Sequence, residues 1–187
     1  MKKRVFIIHG WEGNPNLHWI PWLKSELEKK GYQVVVPQMP NTMNPDFYSW
    51  VGYLHQVVKN PSENVLLVGH SLGCITILRF IESLKGSSKI GCAVLVAGFG
   101  RDLDYEGYKG ELSSFFETPI NWENIRKHCN KFIAIHSKDD SWVNLDNSKL
   151  FKEKLNAQTL IHEKRGHYNA KDGVTEFPEL LNLILKI

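Results

Sequence analysis

The sequence predicts an α/β fold, a single domain of 187 residues with a mostly parallel sheet of about six strands and helices on both faces. Three observations predict it. Short β-branched apolar runs recur along the chain, most of them are separated by segments with a helical period, and polar or glycine-rich residues follow directly after the runs.

The first run, Val5 to Ile8, is apolar on consecutive residues, as expected of a strand covered on both faces. Ile20, Leu23 and Leu27 then share one helix face, and Gln33 to Val36 forms the second strand. Phe47, Trp50, Val51, Leu54 and Val58 mark a second helix before the strand Val65 to Val68. Ile75, Leu78 and Ile81 mark a third helix, and strands follow at Ile90 to Val96, Phe132 to Ile135 and Thr159 to Ile161. A closing helix is expected over Val174 to Ile187, with Leu180, Leu181, Ile184 and Leu185 on one side. Residues 98–120 break the alternation, because Gly98, Gly100, Gly107 and Gly110 lie among aromatic and charged residues; a flap over a site is expected there.

Composition narrows the function. Hydrophobic residues make up 42% and charged residues 23%, and the net charge is only +3, with basic residues spread along the chain. Nucleic acid is therefore not an expected partner. No apolar stretch approaches the roughly 20 residues of a membrane span, and the apolar run after the basic start is too short for a signal sequence. Cys74, Cys92 and Cys129 are widely spaced and form no CxxC pair, which fits reduced thiols in a cytoplasmic protein and no metal site.

In open parallel sheets ligands bind beyond the carboxyl ends of the strands. The residues there are His9, Gly10 and Trp11 after the first strand, Gly69 to Gly73 after the third, Ser137 to Asn144 after the fifth and Arg165 to Asn169 after the sixth. Gly69-His70-Ser71-Leu72-Gly73 fits the GxSxG nucleophile elbow, a strained strand-to-helix turn that projects a serine hydroxyl above the sheet. Side chains in place of either glycine would collide with the neighbouring strand and helix. A serine needs a base, and the base needs a carboxylate to hold its tautomer. His167, in "EKRGHYNAKDG" after the last strand, is the expected base; His70 points away from the serine next to it, and His9 reads as a structural histidine. His18, His55, His128, His136 and His162 have no comparable setting. The acid is expected in "HSKDDSWVN", where Asp139 and Asp140 point opposite ways, so only one can reach His167. Trp142 and Tyr168, each beside one of these candidates, are the expected substrate contacts. Trp19 and Trp22 read as packing residues, whereas Phe115, Phe116 and Trp122 are candidates for the underside of the flap.

With these residues in place, the chain resembles the α/β hydrolases, and within them the small serine hydrolases related to retinoblastoma-binding protein 9. The likeness runs over nearly the full length through "FIIHGWEG", "MPN", "VGHSLG", "FFETPINWENI", "SKDDSWVN" and "GHYN". In that superfamily the acid is followed by a pattern of type x-x-V-P, which Asp140-Ser141-Trp142-Val143-Asn144 matches except at Asn144; the resemblance therefore selects Asp140. It also implies that the backbone N–H groups of Trp11 and Leu72 form the oxyanion hole. No Leu-x-Cys-x-Glu motif surrounds any cysteine, so retinoblastoma binding is not implied.

The function expected is hydrolysis of a small-molecule ester, thioester or amide of carboxylesterase type, without cofactor or metal, through an acyl-enzyme on Ser71, Asp140 and His167. A small lid predicts a shallow site suited to acyl chains of two to four carbons. The alternatives are a catalytically weak protein of this fold that binds a partner, against which the intact Ser71, His167 and acid argue, and a different reaction on the same scaffold.

Overall fold

The computed structural model describes residues 3–187. Its strands are β1 (Arg4–Ile8), β2 (Gln33–Val35), β3 (Val65–His70), β4 (Cys92–Val96), β5 (Phe132–Ser137) and β6 (Gln158–His162). They form one six-stranded sheet in the order β2-β1-β3-β4-β5-β6, and every pairing is parallel. The helices are α1 (Ile20–Lys29), α2 (Phe47–Val57), α3 (Leu72–Glu82), α4 (Trp122–Lys127), α5 (Asp146–Leu155) and α6 (Pro178–Leu185).

Because side chains alternate across each strand, the sheet divides the core into two layers. Phe6, Ile8, Leu67, Leu95 and Ala134 face a cluster completed by Trp50 of α2, Ile75 of α3, Ile125 of α4 and Phe151 of α5. Val5, Ile7, Val68, Val94 and Ile135 face the other cluster, completed by Leu23 of α1 and Ile184 of α6. Helix α3 is buried at every position from Leu72 to Ile81, so it is apolar nearly all round. Each fully buried leucine, isoleucine or phenylalanine contributes roughly 1.5 to 3 kcal/mol relative to an exposed one.

Two helices lack the apolar period that marks the others. In α5 the core-facing residues are Asn147, Ser148, Phe151 and Leu155. Asn147 is tolerated inside because its Oδ1 accepts from Gly100 N at 3.0 Å and its Nδ2 donates to the Asn144 carbonyl at 3.0 Å. Helix α4 is six residues long and buries only Ile125, and its start is set by the Asn121 side chain accepting from Asn124 N. The closing helix is shorter than its apolar pattern suggests. Pro178 starts it, and the preceding residues Ala170–Asp172 form a separate 3-10 turn capped reciprocally by Asn169 and Asp172. β5 runs two residues beyond its apolar stretch, because His136 and Ser137 stay in register with Ile161 and His162 of β6.

The strand order turns back between β1 and β3: β2 lies on one side of β1, and every later strand lies on the other. That reversal opens a crevice beyond the carboxyl ends of β1 and β3.

Candidate active site

Ser71 occupies that crevice, at the junction of β3 and α3, with φ 53° and ψ −119°. A non-glycine residue at such a φ is strained and is held only by its surroundings. Here its N–H donates to the Val96 carbonyl of β4 at 2.9 Å, and its carbonyl accepts from Cys74 N at 2.9 Å. The two elbow glycines are required by contact. A Cβ at Gly69 would sit 2.8 Å from the Cys74 and Gly73 backbone, and one at Gly73 would land on the Ile8 carbonyl of β1. Gly10 closes the third side, with a Cβ there only 3.1 Å from that of Ser71. Cys74, directly below, is buried; its thiol is pushed well above its usual range by that burial and donates to the Val96 carbonyl at 3.4 Å.

Of the paired acidic residues, Asp140 is the one whose carboxylate meets the imidazole: Oδ2 lies 2.8 Å from His167 Nδ1. Its other oxygen accepts from Trp142 N at 2.8 Å and Val143 N at 3.0 Å, and the side chain is 1% exposed. The carboxylate thus fixes the proton on Nδ1 and leaves the Nε2 lone pair free. Asp139, in the turn that follows β5, points the other way. Its Oδ1 accepts from Ser137 Oγ at 2.6 Å, Gly166 N at 2.9 Å and Arg165 N at 3.1 Å, and these bonds hold its carboxyl below the usual range.

The loop carrying His167 is held group by group. Asp172 Oδ2 accepts from His167 N at 2.7 Å, and the His167 carbonyl accepts from His70 Nε2 at 2.8 Å. His18 Nδ1 accepts from Ala170 N at 3.0 Å. Gly166 has φ 50°, and a Cβ there would strike the Asp172 carboxylate, so only glycine fits before the histidine. The His70 ring lies between those of His18 and His167, with centroids 5.4 and 5.1 Å away. Burial, and then the neighbouring His167, hold its pKa well below the ordinary value, so it stays neutral. His9 is satisfied on both nitrogens: Nε2 accepts from Met39 N at 3.1 Å, which leaves Nδ1–H to donate to the Gly10 carbonyl at 2.9 Å.

Ser71, His167, Trp11 and Trp142 line one cavity of about 720 Å³. Leu103, Tyr105 and Leu112 of the 98–120 segment also line it, and the Tyr105 ring meets Trp142 edge-on at 5.1 Å. Their side chains form part of its wall, and the volume falls in the range of about 300 to 1,000 Å³ typical of small-molecule sites. No hydrogen bond joins the Ser71 hydroxyl to His167 among the described residues, and contacts of this kind tighten on the way to the transition state. The N–H groups of Trp11 and Leu72 donate to no protein acceptor among the described residues.

Several expectations are corrected. Tyr168 does not line the cavity. With φ 56° the chain turns its ring back under the sheet, where it is fully buried, stacks on Phe177 at 5.4 Å and shares a 2.8 Å hydrogen bond with His162 Nδ1. Phe115 lies in the core, Phe116 packs on Phe99 and Trp122 on Phe151, and none of the three lines the cavity. Sequence reasoning missed His18, which lines the cavity, and the supporting roles of His70 and Asp172. The partners of His18 and His70 are backbone groups 152 and 97 residues away, which no local pattern encodes, whereas Asp172 meets His167 N within the same loop. Arg79 was missed as well: it donates to the carbonyls of Phe115 and Thr118 and so ties the end of the flap segment to α3.

A sequence model described as "Serine hydrolase" matches residues 5–186. The chain belongs to the serine hydrolase family. Within it, YdeN of Bacillus subtilis is 33% identical over 184 residues, which are 98% of this chain and 95% of YdeN. The crystal structure of the ydeN gene product superposes with a TM-score of 0.92 at 31% identity, covering 99% and 98% of the two chains. The serine hydrolase RBBP9 of Rattus norvegicus is 26% identical over 94% of this chain and 85% of its own length. Est1E from Butyrivibrio proteoclasticus, at 15% identity and a TM-score of 0.75 over 99% of this chain and 88% of its own, shares the fold. This serine hydrolase therefore has the α/β hydrolase architecture, and no helix among its described residues is long and apolar enough to cross a membrane.

Proposed function

We propose that the protein hydrolyses a small-molecule ester, thioester or amide through an acyl-enzyme, with Ser71 as nucleophile, His167 as general base and Asp140 as its orienting acid. The observation that carries this reading is the imidazole held by Asp140 at 2.8 Å, in the same cavity as a serine in a strained elbow. Ser71 Oγ attacks the substrate carbonyl carbon as His167 Nε2 takes its proton. The oxyanion that forms is met by the Trp11 and Leu72 N–H groups, which have no competing acceptor. His167 returns the proton to the leaving group, and then draws a proton from the water that attacks the acyl carbon and frees Ser71. Trp142, half exposed on the cavity wall, contacts the substrate's apolar part. Acyl chains of two to four carbons are the first to assay, beside longer ones, with carboxylester hydrolysis as the first activity.

Labelling with a fluorophosphonate probe tests the reading directly. Wild type is expected to react and Ser71→Ala to lose turnover by about 10⁶-fold. Asp140→Asn should lower kcat by about 10⁴-fold, far more than Asp139→Asn. A labelled Ser71→Ala protein, or an Asp139 variant more impaired than the Asp140 one, would overturn the assignment.

A further inference from the structure

The cavity contains an imidazole that the proposed mechanism does not use. His18 sits in the loop between β1 and α1 with φ 59°, a conformation that a residue other than glycine holds only under constraint. The constraint is visible: its Nδ1 accepts the Ala170 N–H at 3.0 Å. Accepting there forces the remaining proton onto Nε2. That Nε2–H donates to no protein group among the described residues, while the residue lines the same cavity as Ser71 and His167. Burial, and next the neighbouring His167, keep the ring neutral, although Asp172 opposes them.

We propose that His18 is a specificity residue, its Nε2–H donating to a neutral oxygen of the substrate other than the scissile carbonyl. The inference rests on the hydrolase reading of the site. The charge of the lining selects a neutral acceptor: Lys171 is the cation there, but Glu12 and Asp172 are in the same lining, so no net positive field favours a carboxylate. An ether, hydroxyl or amide oxygen fits a neutral N–H donor in this setting.

The test uses two ester series, each with an all-carbon parent. In one a single methylene of the acyl chain is replaced in turn by an ether oxygen, starting beyond the carbon next to the carbonyl; in the other the replacement is made in the alcohol portion. Rates are normalised to uncatalysed hydrolysis. In wild type, one oxygen position in either series should raise kcat/KM by roughly 3- to 10-fold over its parent, the size of one neutral hydrogen bond. His18→Asn is the diagnostic variant. Its Oδ1 can take over the Ala170 N–H, asparagine tolerates the left-handed backbone, and the Nε2–H is gone. The preference ratio should fall to about one in His18→Asn and survive in part in His18→Gln, which returns an N–H near the lost position. The proposal is overturned if no position in either series beats its parent, or if His18→Asn keeps the preference. Failure of the serine hydrolase reading is distinct, because wild type would then not take the fluorophosphonate at all.

Discussion

At the scale of single residues, the site depends on polar groups that hold the backbone of His167 from both sides. Asp172 takes its N–H and His70 donates to its carbonyl, so the imidazole is aimed by its main chain as well as by Asp140. Replacing His70 by phenylalanine keeps the bulk but leaves a carbonyl without its donor. His70→Phe should lower kcat by roughly 10- to 100-fold with KM little changed, since a displacement of about 1 Å in a catalytic group has effects of that size. His70→Gln, whose amide nitrogen reaches nearly as far as Nε2, should recover much of the loss. Steady-state kinetics on the pair check this, and a rise in KM with kcat intact would contradict it. The role of His70 was not legible in its sequence neighbourhood, because its partner is 97 residues away. Asp139 and Asp140 were half legible: alternation showed that only one could reach the histidine, while the choice between them came from resemblance.

Elements were legible wherever one physical cause dominated. Strands covered on both faces must be apolar, so β1, β3 and β4 stand out, and an elbow that brings a helix against two strands has no room for side chains at Gly69 and Gly73. Gly73→Ala should therefore destabilise the protein by at least about 3 kcal/mol, because the Ile8 carbonyl it meets belongs to a central strand and cannot move aside. Urea denaturation compared with wild type measures this; a loss under 1 kcal/mol would show that β1 yields. Helices α4 and α5 were hidden because the first is short and the second turns Asn147 and Ser148 inward. The flap segment was recognised as irregular, but its sequence did not show that Leu103, Tyr105 and Leu112 wall the cavity, while Phe115 drops into the core.

At the scale of the whole molecule, buried imidazoles govern the response to acid. His9, His70 and His136 are all held below the ordinary pKa of 6.5, in each case chiefly by burial. Below that value the unfolded chain takes up protons that the native chain refuses, so stability falls as the pH drops, by up to about 1.4 kcal/mol per pH unit for each group. Melting temperature should accordingly decline between pH 7 and pH 5, before most carboxylates titrate. A scanning calorimetry series at constant ionic strength checks this, and a flat profile over that range would show that these rings protonate within the fold. Asp139, depressed instead, adds stability that is lost only under stronger acid, as the pH falls through its lowered value. The sequence by itself determined the layered parallel sheet, the strained serine turn and the glycine before His167, because steric exclusion and two-sided burial act on neighbours in the chain or on every residue of a strand. Only the tertiary structure decided that Tyr168 turns into the core and that the His70 ring lies between those of His18 and His167. Those outcomes depend on contacts between separate elements and loops, whose meeting is set by how the loops close over the sheet.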